Sequence, residues 1–228
     1  MGKYSNDSIL CDSSSLISLT DSCFVHVFYM LKQRFKGSFL IPRAVEYEAI
    51  ERPLGMKSHA LHAVRLKRAV NDGTLNVVDM DLREQARDIA FLANNIFFLN
   101  NRPMQLVHAG EAEVLAAARE LGVNNILIDE RTTRMLVEAP SAIRDHMERE
   151  FGKRINFDER NLARFQDMTR GLNLIRSTEL LIMAYEHGYF GEFKELERTA
   201  LGAALYNLKF AGCAVGFDEI QDFMSELK

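Results

Sequence analysis

The chain has 228 residues, 47% of them hydrophobic, and a formal net charge of -4, which supports a folded core and excludes a disordered chain. A pI near 5.9 argues against a protein that holds nucleic acid through its overall charge, although local basic patches stay open. The three cysteines form no CxxC pair and no segment approaches the roughly 20 apolar residues of a membrane span, so we expect a cytoplasmic protein without a zinc knuckle, a disulfide framework or a membrane anchor.

Five short apolar runs are predicted as strands, and helical patterns separate each run from the next. The runs are Ser8 to Asp12, Ser38 to Ile41, Leu75 to Val78, Asn125 to Asp129 and Leu172 to Ile175. Strands that alternate with helices imply right-handed crossovers and a parallel sheet. We therefore expect an α/β protein with three layers, α/β/α, around five parallel strands.

Helices are predicted where apolar residues recur at helical spacing. The predicted segments before residue 140 are Leu16 to Lys36 in two pieces, Arg43 to Glu51, Lys57 to Asn71, Leu82 to Leu99, Glu111 to Leu121 and Thr132 to Glu138. We expect a core at residues 1–139, a charged insertion of one or two helices at 140–171, and a last strand with C-terminal helices at 172–228 that complete the same domain. The apolar C-terminal helices exceed what a small sheet needs, so we expect a homodimer; the alternative is that these helices cover the core of a single chain.

Four acidic residues stand where a parallel sheet presents side chains to one cleft. They are Asp12, Glu48, Glu111 and Asp129. The carboxyl ends of parallel strands lie at one edge of the sheet, where ligands bind. Close carboxylates raise each other's pKa, and a hard divalent cation such as Mg²⁺ or Mn²⁺ removes that penalty. The pattern predicts a metal site, and the absence of glycine at residues 12–16 excludes a Rossmann nucleotide site.

Each of these acids also has a plain structural interpretation. Asp12 and Ser14 suit the N-cap of a helix, and an acid in a first helical turn, such as Glu111, is favoured by the helix dipole. Ser14 is also placed to orient Asp12 or to support the water shell of a metal. Further acids beside the predicted site, as alternates or supporting residues, are Glu46, Glu113 and Glu130.

Basic residues near the predicted site are candidates for contacts with phosphate. Arg131 and Arg134 are the better pair, because they flank Asp129. Arg65 and Arg68 lie on another predicted helix. Isolated charges of this kind are usually solvated surface residues, so the pattern alone leaves both interpretations open.

Four motifs, in order, resemble those of the PIN-domain family. Residues 12–17, Asp-Ser-Ser-Ser-Leu-Ile, resemble its opening Asp-Thr-Ser-x-Leu-Ile, and Ile41-Pro42 followed by Glu48 resembles its second acidic element. Residues 110–113, Gly-Glu-Ala-Glu, resemble the third, and residues 127–131 with Arg134 resemble the fourth. The resemblance covers residues 8–136, and residues 172–188 resemble the end of a toxin-type, VapC-like subgroup.

The resemblance implies a flavodoxin-like strand order, 3-2-1-4-5, and an endoribonuclease that hydrolyses RNA through a four-carboxylate Mg²⁺ or Mn²⁺ site. It assigns catalytic and metal-binding roles to Asp12, Glu48, Glu111 and Asp129, with Ser14 beside them. Many members are toxins silenced by a cognate antitoxin, so RNA and an antitoxin protein are the expected partners. The alternative is a PIN-like scaffold without catalysis, which binds RNA or protein through residues 140–171.

Overall fold

A five-stranded parallel sheet lies at the centre of the chain in a computed structural model that describes residues 4–227. The strands of the described chain are β1 (Ile9–Cys11), β2 (Phe39–Ile41), β3 (Leu75–Val77), β4 (Phe97–Leu99), β5 (Arg102–Pro103), β6 (Asn125–Leu127), β7 (Asn156–Phe157) and β8 (Asn173–Ile175). The central sheet has the order β3-β2-β1-β6-β8. The five predicted strands and their predicted order are therefore confirmed.

The register of the central sheet places the ends of its strands side by side. Leu10 of β1 pairs with Leu40 of β2 and with Ile126 of β6, and all three side chains are fully buried. Strands that are covered by helices on both faces read as continuous apolar runs, which is why β1, β2 and β6 carry almost no polar residues. β1 and β6 sit where the strand order reverses, so the chain leaves both strands beside the same crevice.

The helices flank this sheet and agree with most of the predicted segments. They are α1 (Ser13–Asp21), α2 (His26–Lys32), α3 (Arg43–Glu46), α4 (Arg52–Leu54), α5 (Ala60–Asn71), α6 (Arg83–Asn94), α7 (Ala109–Leu121), α8 (Arg131–Glu138), α9 (Pro140–Phe151), α10 (Glu159–Met168), α11 (Ser177–Glu186), α12 (Glu197–Phe210) and α13 (Phe217–Glu226). A π-helical turn, Tyr47–Glu51, joins α3 to α4, and a 3-10 turn, Gly191–Leu196, precedes α12.

The prediction of one helix from Leu82 to Leu99 is wrong at its C-terminal end. Helix α6 ends at Asn94, and Phe97–Leu99 forms β4. This strand pairs with β5 in a hairpin and with β7 from the 140–171 segment, so the three make a small antiparallel sheet. The apolar residues of β4 fit the helical period by chance, because a short apolar run does not distinguish a strand from a buried helical turn.

The 140–171 segment forms two helices, α9 and α10, with β7 between them. Strand β8 follows and lies at the edge of the central sheet beside β6. Within residues 4–227, no single helix is long and apolar enough to cross a membrane; α1 and α2 meet the length and composition test only as a pair bent by 110°.

Candidate functional site

Asp12 is a deeply buried acid at the carboxyl edge of the sheet. It follows β1, and its side chain is 1% exposed. Its Oδ2 atom accepts hydrogen bonds from the backbone N–H of Ser14 at 3.0 Å and from the Ser14 hydroxyl at 2.6 Å. Its Oδ1 atom is buried without a hydrogen-bond partner among the described residues. Burial, together with a smaller effect of the charge of Glu48, raises the pKa of Asp12 to about 6 against the lowering effect of the Ser14 hydrogen bonds.

Ser14 connects the ends of the two neighbouring strands. Its hydroxyl donates to Asp12 and accepts from the backbone N–H of Asp129 at 3.1 Å. The N-cap of α1 is Asp12, and Ser14 orients the carboxylate of that cap. Because Ser14 fixes Oδ2 of Asp12, the free Oδ1 keeps a defined direction, which is what a ligand-binding oxygen needs.

Glu48 comes to this site from a helical segment of unusual geometry. It lies in the π-helical turn after α3, where it is exposed while the following Ala49 and Ile50 are buried. A Cβ atom added at Gly110 would lie 2.8 Å from Oε2 of Glu48, so the glycine leaves room for this carboxylate. π-helical turns inside helices are frequent at functional sites because they re-aim side chains.

Glu111 lies in the first turn of helix α7, directly after Gly110. Its side chain is 9% exposed, and Oε2 accepts a short hydrogen bond from the backbone N–H of His108. Burial, together with the charges of Asp12, Glu130 and Glu48, raises the pKa of Glu111 to about 7 against the lowering effect of the His108 hydrogen bond. Glu111 therefore has a structural role at the start of α7 through Oε2, and its carboxylate also lies in the field of other acids.

Asp129 follows β6, the strand next to β1, and its carboxylate binds Ser177. Its side chain is fully buried; Oδ1 accepts from the backbone N–H of Ser177 at 2.7 Å, and Oδ2 accepts from the Ser177 hydroxyl at 2.6 Å. It thus caps the N-terminus of α11, with both oxygens in hydrogen bonds. The backbone N–H of Asp129 donates to Ser14, whereas its carboxylate is held by Ser177, and its role as a metal ligand stays a prediction.

The register of the sheet explains why Asp129 turns away and Glu130 does not. Cys11 pairs with Leu127, so Asp12 is level with residue 128, and successive side chains of an extended chain point to opposite faces. Asp129 therefore faces away from Asp12, whereas Glu130 returns to the same side. Glu130 raises the pKa of Glu111, and its carboxylate also accepts from the N–H groups of residues 132 and 133 at the start of α8.

The two other predicted acids have structural partners. Glu46 is buried, and Oε1 lies 3.3 Å from Nζ of Lys67. Glu113 accepts a hydrogen bond from the backbone N–H of Ala44 at 3.0 Å and so caps the start of α3. Both residues hold α3, and with it the π-helical turn, in place, while Glu48 is the acid of that segment that faces Gly110.

The predicted basic residues divide into two groups. Arg131 is exposed at the start of α8, directly after Glu130. Arg134 lies one turn later, is 15% exposed and pairs with Glu138 at 3.2 Å. Both arginines follow Asp129 and Glu130 closely in the sequence.

Arg65 and Arg68 are attached to other parts of the fold. Arg65 donates to the carbonyl of Thr20 at 3.1 Å, in the last turn of α1, the end opposite to Asp12. Helix α1 has nine residues and is therefore about 13 Å long. Arg68 carries its charge beside Asp72, at the C-terminus of α5 where the chain turns into β3. The structure therefore places Arg65 and Arg68 away from the acids.

We call the carboxylates of Asp12, Glu48, Glu111 and Glu130 the acidic pocket, because the charge of Glu48 acts on Asp12 and the charges of the other three act on Glu111. Both oxygens of Glu130 also cap α8. Hard carboxylate oxygens and one buried oxygen without a partner fit Mg²⁺ or Mn²⁺ in chemistry. Within residues 4–227, however, no three histidine, cysteine or acidic side chains already stand at metal-ligand spacing.

Ser177 is the site residue that the sequence analysis did not identify. The signal available in the sequence was a serine after the last predicted strand, a position typical of a helix N-cap. The sequence alone does not show that the start of this helix is hydrogen-bonded to Asp129.

Comparison with known proteins gives one match. A family model described as PIN domain matches residues 8–140. No curated protein and no solved structure matches the chain at the significance required. PIN domains are generally nucleases, so the fold and the acidic pocket together are those of a nuclease-like protein.

Proposed function

The chain belongs to the PIN-domain family, and from this premise we propose that it is an endoribonuclease that uses Mg²⁺ or Mn²⁺ in the acidic pocket. The observation that supports the proposal most directly is the burial of the Asp12 carboxylate with one oxygen unpartnered within residues 4–227. Its Oδ1 is buried and has no partner among the described residues, and it lies in the field of further carboxylates. Such an arrangement is electrostatically unfavourable without a cation, so it points to a bound cation as part of the working site.

Asp12, Glu48, Glu111 and Glu130 would hold the cation. A metal bound there would supply an activated water and neutralise charge on the phosphate. Ser14 keeps Asp12 in one orientation, and the short bond from His108 does the same for Glu111. Because the pKa of Glu111 is about 7, its second oxygen, Oε1, holds or releases a proton near neutral pH. Arg131, exposed beside Glu130, is placed to contact a phosphate oxygen.

Cleavage of RNA by purified protein tests the proposal. Labelled single-stranded and hairpin RNAs are incubated with Mg²⁺, with Mn²⁺ or with EDTA. We expect cleavage only with metal, and a loss of at least about 100-fold in Asp12→Asn and Glu111→Gln. The matched control is Asp222→Asn, the same chemical change on the exposed surface of α13. Full activity in Asp12→Asn, or equal loss in the control, would contradict the assignment.

A role as the toxin of a toxin-antitoxin pair is the part of this proposal that rests on the resemblance of residues 172–188. Expression of the wild-type chain should then arrest growth of a host cell, whereas Asp12→Asn should not. Growth arrest by both proteins would remove the nuclease as its cause.

A scaffold that binds RNA without cleaving it is the second candidate. It is favoured by the spacing of the acids, since no three of them stand at ligand distance in residues 4–227. The two candidates differ in their response to metal. A scaffold shows the same thermal stability with and without Mn²⁺, whereas the nuclease is stabilised by the ion that it binds.

A further inference from the structure

An acidic pocket repels the polyanion that it is proposed to cleave. RNA-binding proteins gain most of their affinity from cations that contact phosphates, and this chain has a net charge of -4. Arg65 and Arg68 lie away from the acids, and Arg134 pairs with Glu138. Arg131 alone among the four predicted phosphate contacts is both exposed and next to the acidic pocket. The binding energy for a longer RNA must therefore come from another surface.

The inserted segment contains a pocket with the opposite charge. It has a volume of about 710 Å³ and lies between the C-terminus of α9 and strand β7. Its charged and aromatic lining residues are Arg144, Glu148, Lys153, Arg154 and Phe157. Three cations face one carboxylate, so we call this surface the basic pocket.

Two cations of the basic pocket, Lys153 and Arg154, are available to a ligand, whereas Nη2 of Arg144 lies 3.5 Å from Oδ1 of Asp145. Lys153 and Arg154 are exposed and make no ion pair with the described residues. The guanidinium of Arg144 lies over the Phe157 ring at 5.3 Å, and its Nε atom is buried without a partner in residues 4–227. The carboxylate of Glu148 is already engaged, because it accepts from the backbone N–H of residue 155 at 2.9 Å. Positive charge beside a flat aromatic surface is the combination that binds single-stranded nucleic acid.

The small antiparallel sheet connects the basic pocket to the acidic pocket. Strand β7 pairs with β4, and the rings of Phe157 and Phe97 are 6.3 Å apart. The hairpin β4-β5 continues into residues 104–108, which lead directly into α7 and Glu111. Asn94 fixes this connection by accepting from the N–H groups of residues 106 and 107 and donating to the carbonyl of residue 107. Residues 140–171 are therefore attached, through β7 and β4, to the loop that leads into α7 and Glu111.

We propose that the basic pocket, through Arg144, Lys153, Arg154 and Phe157, binds a single-stranded stretch of the RNA substrate outside the cleavage site. This inference rests on the proposed function and adds the substrate's second point of contact. Phosphates lie against Lys153 and Arg154, and a base stacks on the Arg144–Phe157 pair. A substrate that is too short to reach from the acidic pocket to the basic pocket gains nothing from it.

One competing explanation has to be separated by experiment. Lys153 and Arg154 follow the C-terminus of α9, where the helix dipole favours positive charge in any protein. If helix stability is their whole role, their removal lowers the melting temperature and leaves RNA affinity unchanged. Thermal unfolding of every variant is therefore measured beside RNA binding.

The test compares Lys153→Gln/Arg154→Gln with a control of equal charge. The control is Arg119→Gln/Arg170→Gln, two exposed arginines at the ends of α7 and α10. Binding of a labelled single strand of about 20 nucleotides is followed by fluorescence anisotropy in EDTA from about 50 to 200 mM KCl. We expect the slope of log Kd against log[KCl] to fall by about 1.4 in the pocket variant, and affinity to drop roughly ten-fold, with little change in the control.

The outcomes separate this inference from the proposed function. Equal effects in both variants, or an unchanged Kd in the pocket variant, would overturn the basic pocket while metal-dependent cleavage by the wild type remained. A change in oligomeric mass instead of RNA affinity would assign the surface to a second copy of the chain and overturn it too. If the wild-type protein bound no RNA and cleaved none, both would fall. Unchanged Mn²⁺-dependent stabilisation of the pocket variant shows that the acidic pocket is intact.

Discussion

Replacing Asp12 with asparagine should make the metal-free protein more stable. The substitution keeps the size of the side chain and leaves one oxygen to accept from Ser14. It removes the negative charge from a side chain that is 1% exposed and lies in the field of Glu48. Most substitutions of buried residues destabilise a protein, so an increase in stability would be a specific signature of electrostatic strain at this position.

The size of the effect follows from the pKa of Asp12. Burial raises it to about 6, against about 4 for an ordinary aspartate, so ionisation costs the folded state on the order of 3 kcal/mol at pH 8. A buried amide in its place costs about 1 kcal/mol. The net gain of about 2 kcal/mol corresponds to roughly 4 to 8 °C in melting temperature for a chain of this size. Because the folded-state pKa is raised, the gain is present at pH 8 and disappears as the pH falls towards 4.

Thermal unfolding with EDTA and with Mn²⁺ measures both parts of the prediction. In EDTA at pH 8, Asp12→Asn should melt above the wild type. With Mn²⁺ the order should reverse, because the wild type gains binding energy that the variant lacks. A variant that melts below the wild type in EDTA, together with a wild type that does not respond to Mn²⁺, would refute the electrostatic reasoning.

Three further predictions follow from the same contacts. Asp129→Asn should lower the metal-free stability by about 1 to 3 kcal/mol, because it weakens the hydrogen bonds to Ser177 at the start of α11. This change has the opposite sign to that of Asp12→Asn. Chemical denaturation measures the stability, and a gain in the variant would contradict the prediction. The affinity for Mn²⁺, measured by calorimetry, should rise roughly 20-fold from pH 6 to pH 8, because the cation displaces protons from two carboxyl groups whose pKa values lie at about 6 and about 7. An affinity that does not change with pH would contradict this displacement of protons. Gly110→Ala should weaken Mn²⁺ binding several-fold and leave the metal-free stability unchanged, because the new methyl group would lie 2.8 Å from Oε2 of the exposed Glu48. If the variant binds Mn²⁺ as tightly as the wild type, Glu48 is not a ligand.

The sequence was sufficient for the central sheet and for three acids of the pocket. Apolar runs bounded by helical patterns locate β1, β2, β3, β6 and β8, because a buried parallel strand has a distinctive composition. Asp12, Glu48 and Glu111 follow from their positions after strands or at a helix start. Local patterns of this kind depend on neighbouring residues and are therefore visible in one sequence.

Features that depend on register or on distant pairing could not be read in the same way. Asp129 and Glu130 are adjacent and both acidic, and only the pairing of Cys11 with Leu127 decides which of them faces Asp12. Strand β4 owes its conformation to β7, which lies almost 60 residues later in the chain. The basic pocket likewise depends on this pairing.

Crystals soaked with Mn²⁺ test the central claim most directly, because anomalous scattering locates the ion independently of activity. We predict a peak in the acidic pocket at direct ligand distance from Oδ1 of Asp12, with Glu111 and Glu130 beside it and Glu48 turned inward. Asp129 should keep both hydrogen bonds to Ser177. Absence of a peak at saturating Mn²⁺, or an ion held by Asp129, would contradict the account.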